Sequence, residues 1–290
     1  KQLGSDLDAV FVCRHYILKN YIDLLRELAP KAKVIFDTVD LHFVREEREA
    51  QLHQNAALQR ASQITRRQEL ALVAKSDVTV VVSEFEKKLL ADLLPQAKVE
   101  IISNIHNHEP QRPPYHEREG IIFVGGFRHP PNIDAITWYA NDVLPLLRKL
   151  LPGVSTKVVG SNMPDTVRNL AAADLEMLGF IENIDPLLHS ARISIAPLRY
   201  GAGVKGKVNE AMNYGIPVVA TACAVEGMHL RAGEEVMVAE SAEDFAKAIV
   251  AAYQDATLWQ QLSTAGVENV KQHFSPAAAL PALERILHAG

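Results

Sequence analysis

Residues 200–221 read YGAGVKGKVNEAMNYGIPVVAT, and this stretch decides the reading of the whole chain. A glycine-rich turn carrying two lysines opens a helix, and a short apolar run follows it. Gly201, Gly203 and Gly206 permit positive φ, so that consecutive N–H groups can point into one concavity where an anion fits. The helix expected over 205–214 adds the positive end of its dipole, and Lys205 and Lys207 add full charges beside it. A diphosphate is the guest that suits these groups. Gly215 stops the helix, and Pro217 prevents its continuation before Val218-Val219-Ala220 begins a buried strand. A turn that only links two elements would leave two lysines and Glu210 within six positions unexplained.

Composition bounds the rest. A chain of 290 residues suits two α/β domains with a cleft between them. The formal net charge of −5 gives no global field for nucleic acid, so basic residues matter locally. Cys13 and Cys223 stand far apart in apolar, strand-like contexts, which fits buried thiols in a reducing compartment without a disulfide framework or zinc spacing. Apolar runs such as 78–82 are far below membrane-spanning length, and no signal peptide precedes Asp6, so a soluble, cytoplasmic chain is expected. Lys1-Gln2-Leu3 carries no initiator Met, and the first half has no glycine-rich turn after its first strand; the N-terminal domain is therefore expected to be incomplete.

Short β-like runs alternate with amphipathic stretches along the chain, as in doubly wound parallel sheets. Strands are expected at 9–13, 34–36, 78–82 and 99–102, with helices over 16–28, 44–74 and 84–93. Residues 104–119 contain three prolines and almost no apolar periodicity and read as a linker, dividing a first domain (1–109) from a second (110–290) that includes the C-terminal helices. His106, His108 and His116 lie in that linker without Cys or carboxylate partners at metal-site spacing, and read as solvated. In the second domain, strands at 121–124, 156–159, 176–178 and 193–196 each run into a Gly or Pro turn, with Asn132 expected to cap a helix and Pro145 to kink or restart it. Ligands in open α/β sheets bind beyond the carboxyl ends of the strands, so Gly126, Gly160, Gly179 and the 201–207 loop are expected to converge.

Two known patterns compete for the donor loop. Gly201-x4-Gly206-Lys207 reads as a P-loop until Val208, which stands where a Ser or Thr would ligate magnesium, and no carboxylate ends the strand at 218–220. The second pattern is carried by Phe123-Val124-Gly125-Gly126-Phe127-Arg128-His129-Pro130-Pro131-Asn132, Leu178-Gly179-Phe180-Ile181, Glu210-Ala211-Met212, Gly215-Ile216-Pro217-Val218-Val219, Glu226-Gly227-Met228 and His273-Phe274-Ser275. With these the chain resembles the retaining GT-B glycosyltransferases (glycosyl transferases group 1) over nearly all of 121–275, in a variant with a GxGxKxK-x2-E donor loop.

The resemblance implies an α/β GT-B fold, two Rossmann-like domains whose parallel sheets face a cleft. It implies a nucleotide-diphosphate sugar donor and transfer with retention to a glycan or lipid-linked acceptor in polysaccharide assembly. No metal or other cofactor is expected, and peripheral association with the inner face of the membrane is an expectation of the same kind. Gly126, Arg128, Lys205 and Lys207 match the residues that grip the diphosphate, Glu210 the one that bonds the ribose, and Phe180 is placed to contact the base. Arg128 as a solvated loop cation and Phe180 as a core residue remain the competing readings. Ala202 stands where the family often has a further Glu, which leaves sugar recognition to backbone N–H groups such as those of Gly203 and Val204. In the first domain, His42 or Asp40 matches the region that contacts the transferred sugar; a capped helix start before Arg45-Glu46-Glu47-Arg48 explains the same residues equally well. Ser83 reads as a helix cap, and Arg14 and His15 are weaker cleft candidates. A noncatalytic nucleotide-sugar module, an epimerase of the same fold and a P-loop nucleoside-triphosphatase are the alternatives.

Overall fold

A computed structural model describes residues 6–109 and 111–288. The Lys1-Gln2-Leu3 start lies outside the described residues. In chain order the first half runs β1 (Ala9–Cys13), α1 (His15–Leu28), β2 (Lys33–Asp37), α2 (His42–Leu52), α3 (Ala56–Lys75), β3 (Val78–Val81), α4 (Glu84–Leu93) and β4 (Val99–Ile101). The second half runs β5 (Glu119–Val124), α5 (Pro130–Trp138), α6 (Leu144–Leu150), β6 (Thr156–Val159), α7 (Asp165–Arg168), β7 (Leu175–Gly179), α8 (Asp185–Ser190) and β8 (Ala191–Ala196). It continues with α9 (Gly206–Asn213), β9 (Val218–Ala220), α10 (Ala222–Val225), β10 (Met237–Val238), α11 (Ala242–Gln254), α12 (Ala256–His273) and α13 (Pro276–His288).

Two sheets result, a four-stranded one in the order β1-β2-β3-β4 and a six-stranded one in the order β10-β9-β8-β5-β6-β7. Each strand pair is parallel. Strands buried on both faces carry continuous apolar runs, which is why Val78–Val81 and Val218–Ala220 lack alternation. The two sheets have separate cores. Leu18, Ile22, Phe36, Leu72 and Val73 fill one face of the first sheet, whereas Phe123, Ile136, Val158, Ile193, Phe245 and Trp259 belong to the core of the second.

Several expectations change in three dimensions. The helix expected over 44–74 is an αα-hairpin, because Gln54 takes φ +48° and Asn55 caps α3 by accepting from the amides of Ala57 and Leu58. Pro145 offers no N–H to residue 141 and crowds its carbonyl; the helix widens to a π turn over Tyr139–Val143 before α6 restarts at Leu144. Asn132 lies inside the first turn of α5, whose cap position is held by His129, and its amide group is used elsewhere. The domain boundary also needs correction. Helix α13 leaves the second domain and packs on the first sheet, where Ile286 joins Ile35, Val78 and Val80, and Lys33 donates to the Ile286 carbonyl at 2.9 Å. Among its described residues the linker holds no regular element until a 3-10 turn at Tyr115–Glu117, and the buried Arg118 ties its end down by donating to the carbonyls of Pro113, Leu188, Ala191 and Tyr214. Within the linker His106 is partly buried, so only His108 and His116 are exposed as expected.

Candidate functional site

The donor loop between β8 and α9 has one left-handed glycine, Gly203 at φ +68°, while Gly201 at φ +159° is close to extended and Gly206 takes an ordinary helical entry. Gly203 is also required by space, since a Cβ there would lie 2.9 Å from the Asp40 Cβ of the first domain. The loop thereby rests directly on residues 37–42, where Val39 holds φ +65°, a costly backbone for a β-branched residue. The amides of Gly203 and Val204 donate no backbone hydrogen bond among the described residues, and those of Gly206 and Lys207 are unpaired as the opening of a helix leaves them.

Between loop and first domain lies a cavity of about 240 Å³ lined by Arg14, Val39, Asp40, Arg45, His129, Asn132, Leu198 and residues 202–207. Its lining carries four cationic side chains, Arg14, Arg45, Lys205 and Lys207, against the single carboxylate of Asp40. Arg45 pairs with Asp40, Lys205 Nζ donates to the Gly203 carbonyl at 2.6 Å, and Lys207 Nζ donates to Asn132 Oδ1 while lying 4.4 Å from the centre of the Phe123 ring. Asn132 Nδ2 in turn donates to the Gly126 carbonyl at 2.7 Å. Gly125 is the glycine that makes this possible, because a Cβ there would meet Lys207 Nζ at 2.8 Å. A larger cavity of about 530 Å³ lies between the first sheet and α13, lined mainly by apolar groups such as Phe11, Val80, Leu280 and Leu283; among the described residues no cation lines it.

Burial sets the electrostatics. Lys207 is pushed down to about 7 by burial and then by the charge of Lys205, and burial lowers Lys205 itself, which is 8% exposed. Neither is the exposed loop lysine that the glycine-rich sequence suggests. His129 is lowered to about 4 by burial, with Arg45 the next cause. The cationic groups of the site are thus short of counter-charge, and a dianion would favour their protonated forms.

The other sequence candidates divide. Gly203, Val204, Lys205, Lys207 and Asp40 line one cavity, and Gly126 meets it through Asn132. Gly160 and Gly179 close the adjoining strand ends, with the Gly160 amide donating to the Gly179 carbonyl at 2.8 Å. Glu210 sits one turn beyond Lys207 on α9; its carboxylate makes no hydrogen bond among the described residues, and burial, then Asp185, raises it. Phe180 is 71% exposed and so is no core residue. Arg128 is exposed on the loop after β5 and does not line the cavity, which is the solvated alternative. His42 does not line it either. It is 6% exposed, with Nδ1 3.5 Å from Glu69 Oε1 and its ring edge-on to His15 at 4.7 Å. Glu69 is fully buried, accepts from the amides of His42 and Phe43, and is held at about 2 despite burial by His15, His42 and those amides. Ser83 caps α4 by accepting from the Glu86 amide at 3.3 Å, as its position implies. Arg45, His129 and Asn132 were not singled out as ligand groups from the sequence, although all three line the cavity.

Residues 118–255 match the family model described as glycosyl transferases group 1. An uncharacterised 44.6 kDa protein from the cps region of Klebsiella pneumoniae is 30% identical over 139 residues, 45% of this chain and 36% of that protein. The chain thus spans about a third of the curated relative that it matches. Among solved structures, S. aureus TarM, crystallised with fondaparinux, alpha-GlcNAc-glycerol and UDP, superposes with a TM-score of 0.77 at 13% identity, covering 99% of this chain and 57% of TarM. Anabaena HepE with UDP and glucose gives 0.76 at 13%, covering 100% and 80% of the respective chains. Sucrose-phosphate synthase of Thermosynechococcus elongatus gives 0.75 at 20%, covering 97% and 74%. At these identities the likeness is one of fold.

Proposed function

We propose that this chain, whose residues 118–255 are a group 1 glycosyl transferase domain within a GT-B fold, binds a nucleoside-diphosphate sugar and transfers its sugar with retention to a glycan or lipid-linked acceptor. The observation that carries the reading is the cavity in which Lys205, Lys207, Arg14 and Arg45 surround free loop amides. Breaking the glycosyl-phosphate bond adds negative charge to the leaving diphosphate, and groups already aimed at that charge lower the barrier. The amides of Gly203 and Val204 and the two lysines meet the diphosphate. Glu210 accepts from the ribose hydroxyls, and Phe180 offers its face to the base. Asp40, at the cavity wall, replaces the buried His42 as the group beside the transferred sugar. The cations supply the charge that a metal ion would otherwise supply, so transfer proceeds without one, and the departing phosphate takes the acceptor's proton. The UDP bound in HepE and TarM and the cps-region origin of the Klebsiella relative support a nucleotide donor and a polysaccharide acceptor. Among the described residues no helix is long and apolar enough to cross a membrane.

Calorimetric titration with UDP, GDP, TDP, ADP and ATP, each with and without added magnesium, tests this. One diphosphate should bind equally with and without the metal, and Lys207→Ala should weaken it at least about tenfold, or about 1.4 kcal/mol. Magnesium-dependent triphosphate binding would overturn the assignment in favour of a nucleoside-triphosphatase. Donor binding without turnover by any acceptor would leave a noncatalytic nucleotide-sugar module.

A further inference from the structure

Behind the loop that carries Asp40, three helices bring together residues that sequence spacing keeps apart. His15 opens α1, His42 opens α2, and Glu69 lies within α3. Their ligand atoms, two imidazole nitrogens and one carboxylate oxygen, lie within 4.8 Å of one another, and all three residues are buried. Glu69 Oε1 is 3.3 Å from His15 Nδ1 and 3.5 Å from His42 Nδ1. Ligands about 2.0–2.1 Å from a tetrahedral ion stand about 3.3–3.4 Å apart, so these separations match the edges of such a polyhedron. A third separation of this size is at hand, since Asp40 Oδ1 lies 3.5 Å from His42 Nδ1.

Hydrogen bonding leaves part of this cluster unsatisfied, although His42 Nδ1 lies 3.2 Å from the Asp40 carbonyl. His15 is 8% exposed, and its Nδ1 is buried without a hydrogen-bond partner although it faces the Glu69 carboxylate. The carboxylate itself is fixed from behind by the amides of His42 at 3.1 Å and Phe43 at 2.9 Å, the kind of outer support that orients a metal-bound carboxylate.

We propose that His15 Nδ1, His42 Nδ1 and Glu69 Oε1 form a site for one divalent transition ion of the Zn²⁺ class, with its fourth position turned toward Asp40. The ion plays no part in bond breaking. It joins the starts of α1 and α2 to α3, and so fixes the strained 37–42 loop against which Gly203 of the donor loop rests. The sequence gives no sign of it, because the three ligands are 27 residues apart and none belongs to a finger-like spacing.

The full chain, stripped with chelator and dialysed, is titrated with Zn²⁺ against a chromogenic competitor and separately with Co²⁺ alone. One ion per chain is expected, with the intense ligand-field bands of four-coordinate cobalt and a rise in melting temperature. His15→Phe, which keeps an aromatic ring in the pocket, should lose more than about tenfold in affinity and the cobalt bands while melting like the metal-free wild type. X-ray absorption of the zinc-loaded wild type supplies a reading that needs no variant, and should report two imidazoles with oxygen ligands. No stoichiometric uptake, uptake undiminished in His15→Phe, or a different ligand set would overturn the site. None of these outcomes depends on nucleotide binding.

Discussion

Lys207 is the residue at which burial and charge make a quantitative demand. Its ammonium titrates near 7 in the free site, well below the ordinary lysine value, because burial outweighs the contact with Asn132 and Lys205 repels it. A bound diphosphate reverses both effects, so binding above pH 7 takes up a proton. Affinity should then fall as pH rises past about 7, by at most about tenfold per unit, and Lys207→Ala should flatten the profile. Calorimetry in buffers of different ionisation enthalpy reads that proton directly. The stability sign is the opposite of a paired cation's. A depressed lysine contributes stability that is present above its unfolded value and lost as pH falls through about 7, so Lys207→Met should raise the melting temperature near neutral and acidic pH. Gly203 makes a steric demand instead: Gly203→Ala combines φ +68° with a 2.9 Å approach to Asp40 and should cost about 1–3 kcal/mol by urea unfolding, with a matching loss of nucleotide affinity.

At the scale of elements, α13 shows how a segment far along the chain completes an early core. Ile286 is 1% exposed and packs with Ile35, Val78 and Val80 on the sheet face that α1, α2 and α3 do not cover. Ile286→Ala should destabilise the first domain by about 2–4 kcal/mol, measured by hydrogen exchange at β2 and β3, with the second sheet little affected. The strand and helix periods of this region could be read directly, since parallel strands announce themselves as apolar runs of four or five. What the periods did not carry was destination. The pattern of 276–288 says only that one face is apolar, and the first sheet supplies the surface that face needs.

For the whole molecule, several of the hydrogen bonds that link its two halves fall beside the donor loop. Arg48 of α2 donates to both carboxylate oxygens of Glu226 at 2.9 Å and to the Gly201 carbonyl at 2.8 Å. Tyr200 donates to Glu49 at 3.2 Å, and Asn104 to the Val204 carbonyl at 3.1 Å. Arg48→Ala should therefore cost about 1–3 kcal/mol, enlarge the radius of gyration seen by small-angle scattering and weaken donor binding, because the loop loses its hold on the first domain. The alternation of strands and helices, the 104–119 break and the glycine-lysine loop were determined by the sequence alone, since each is a local matter of period, φ and charge. Glu210 was legible in the same way only as a residue of the helix that the loop opens. Only tertiary structure decided that the Lys207 ammonium is drawn in against Asn132 and the Phe123 ring, that Asn132 serves Lys207 rather than a helix end, that Arg128 stands away from the cavity, and that His42 turns from it toward Glu69. Each of those outcomes depends on which distant side chain arrives within hydrogen-bonding distance, and burial, unlike periodicity, is a property of the packed chain.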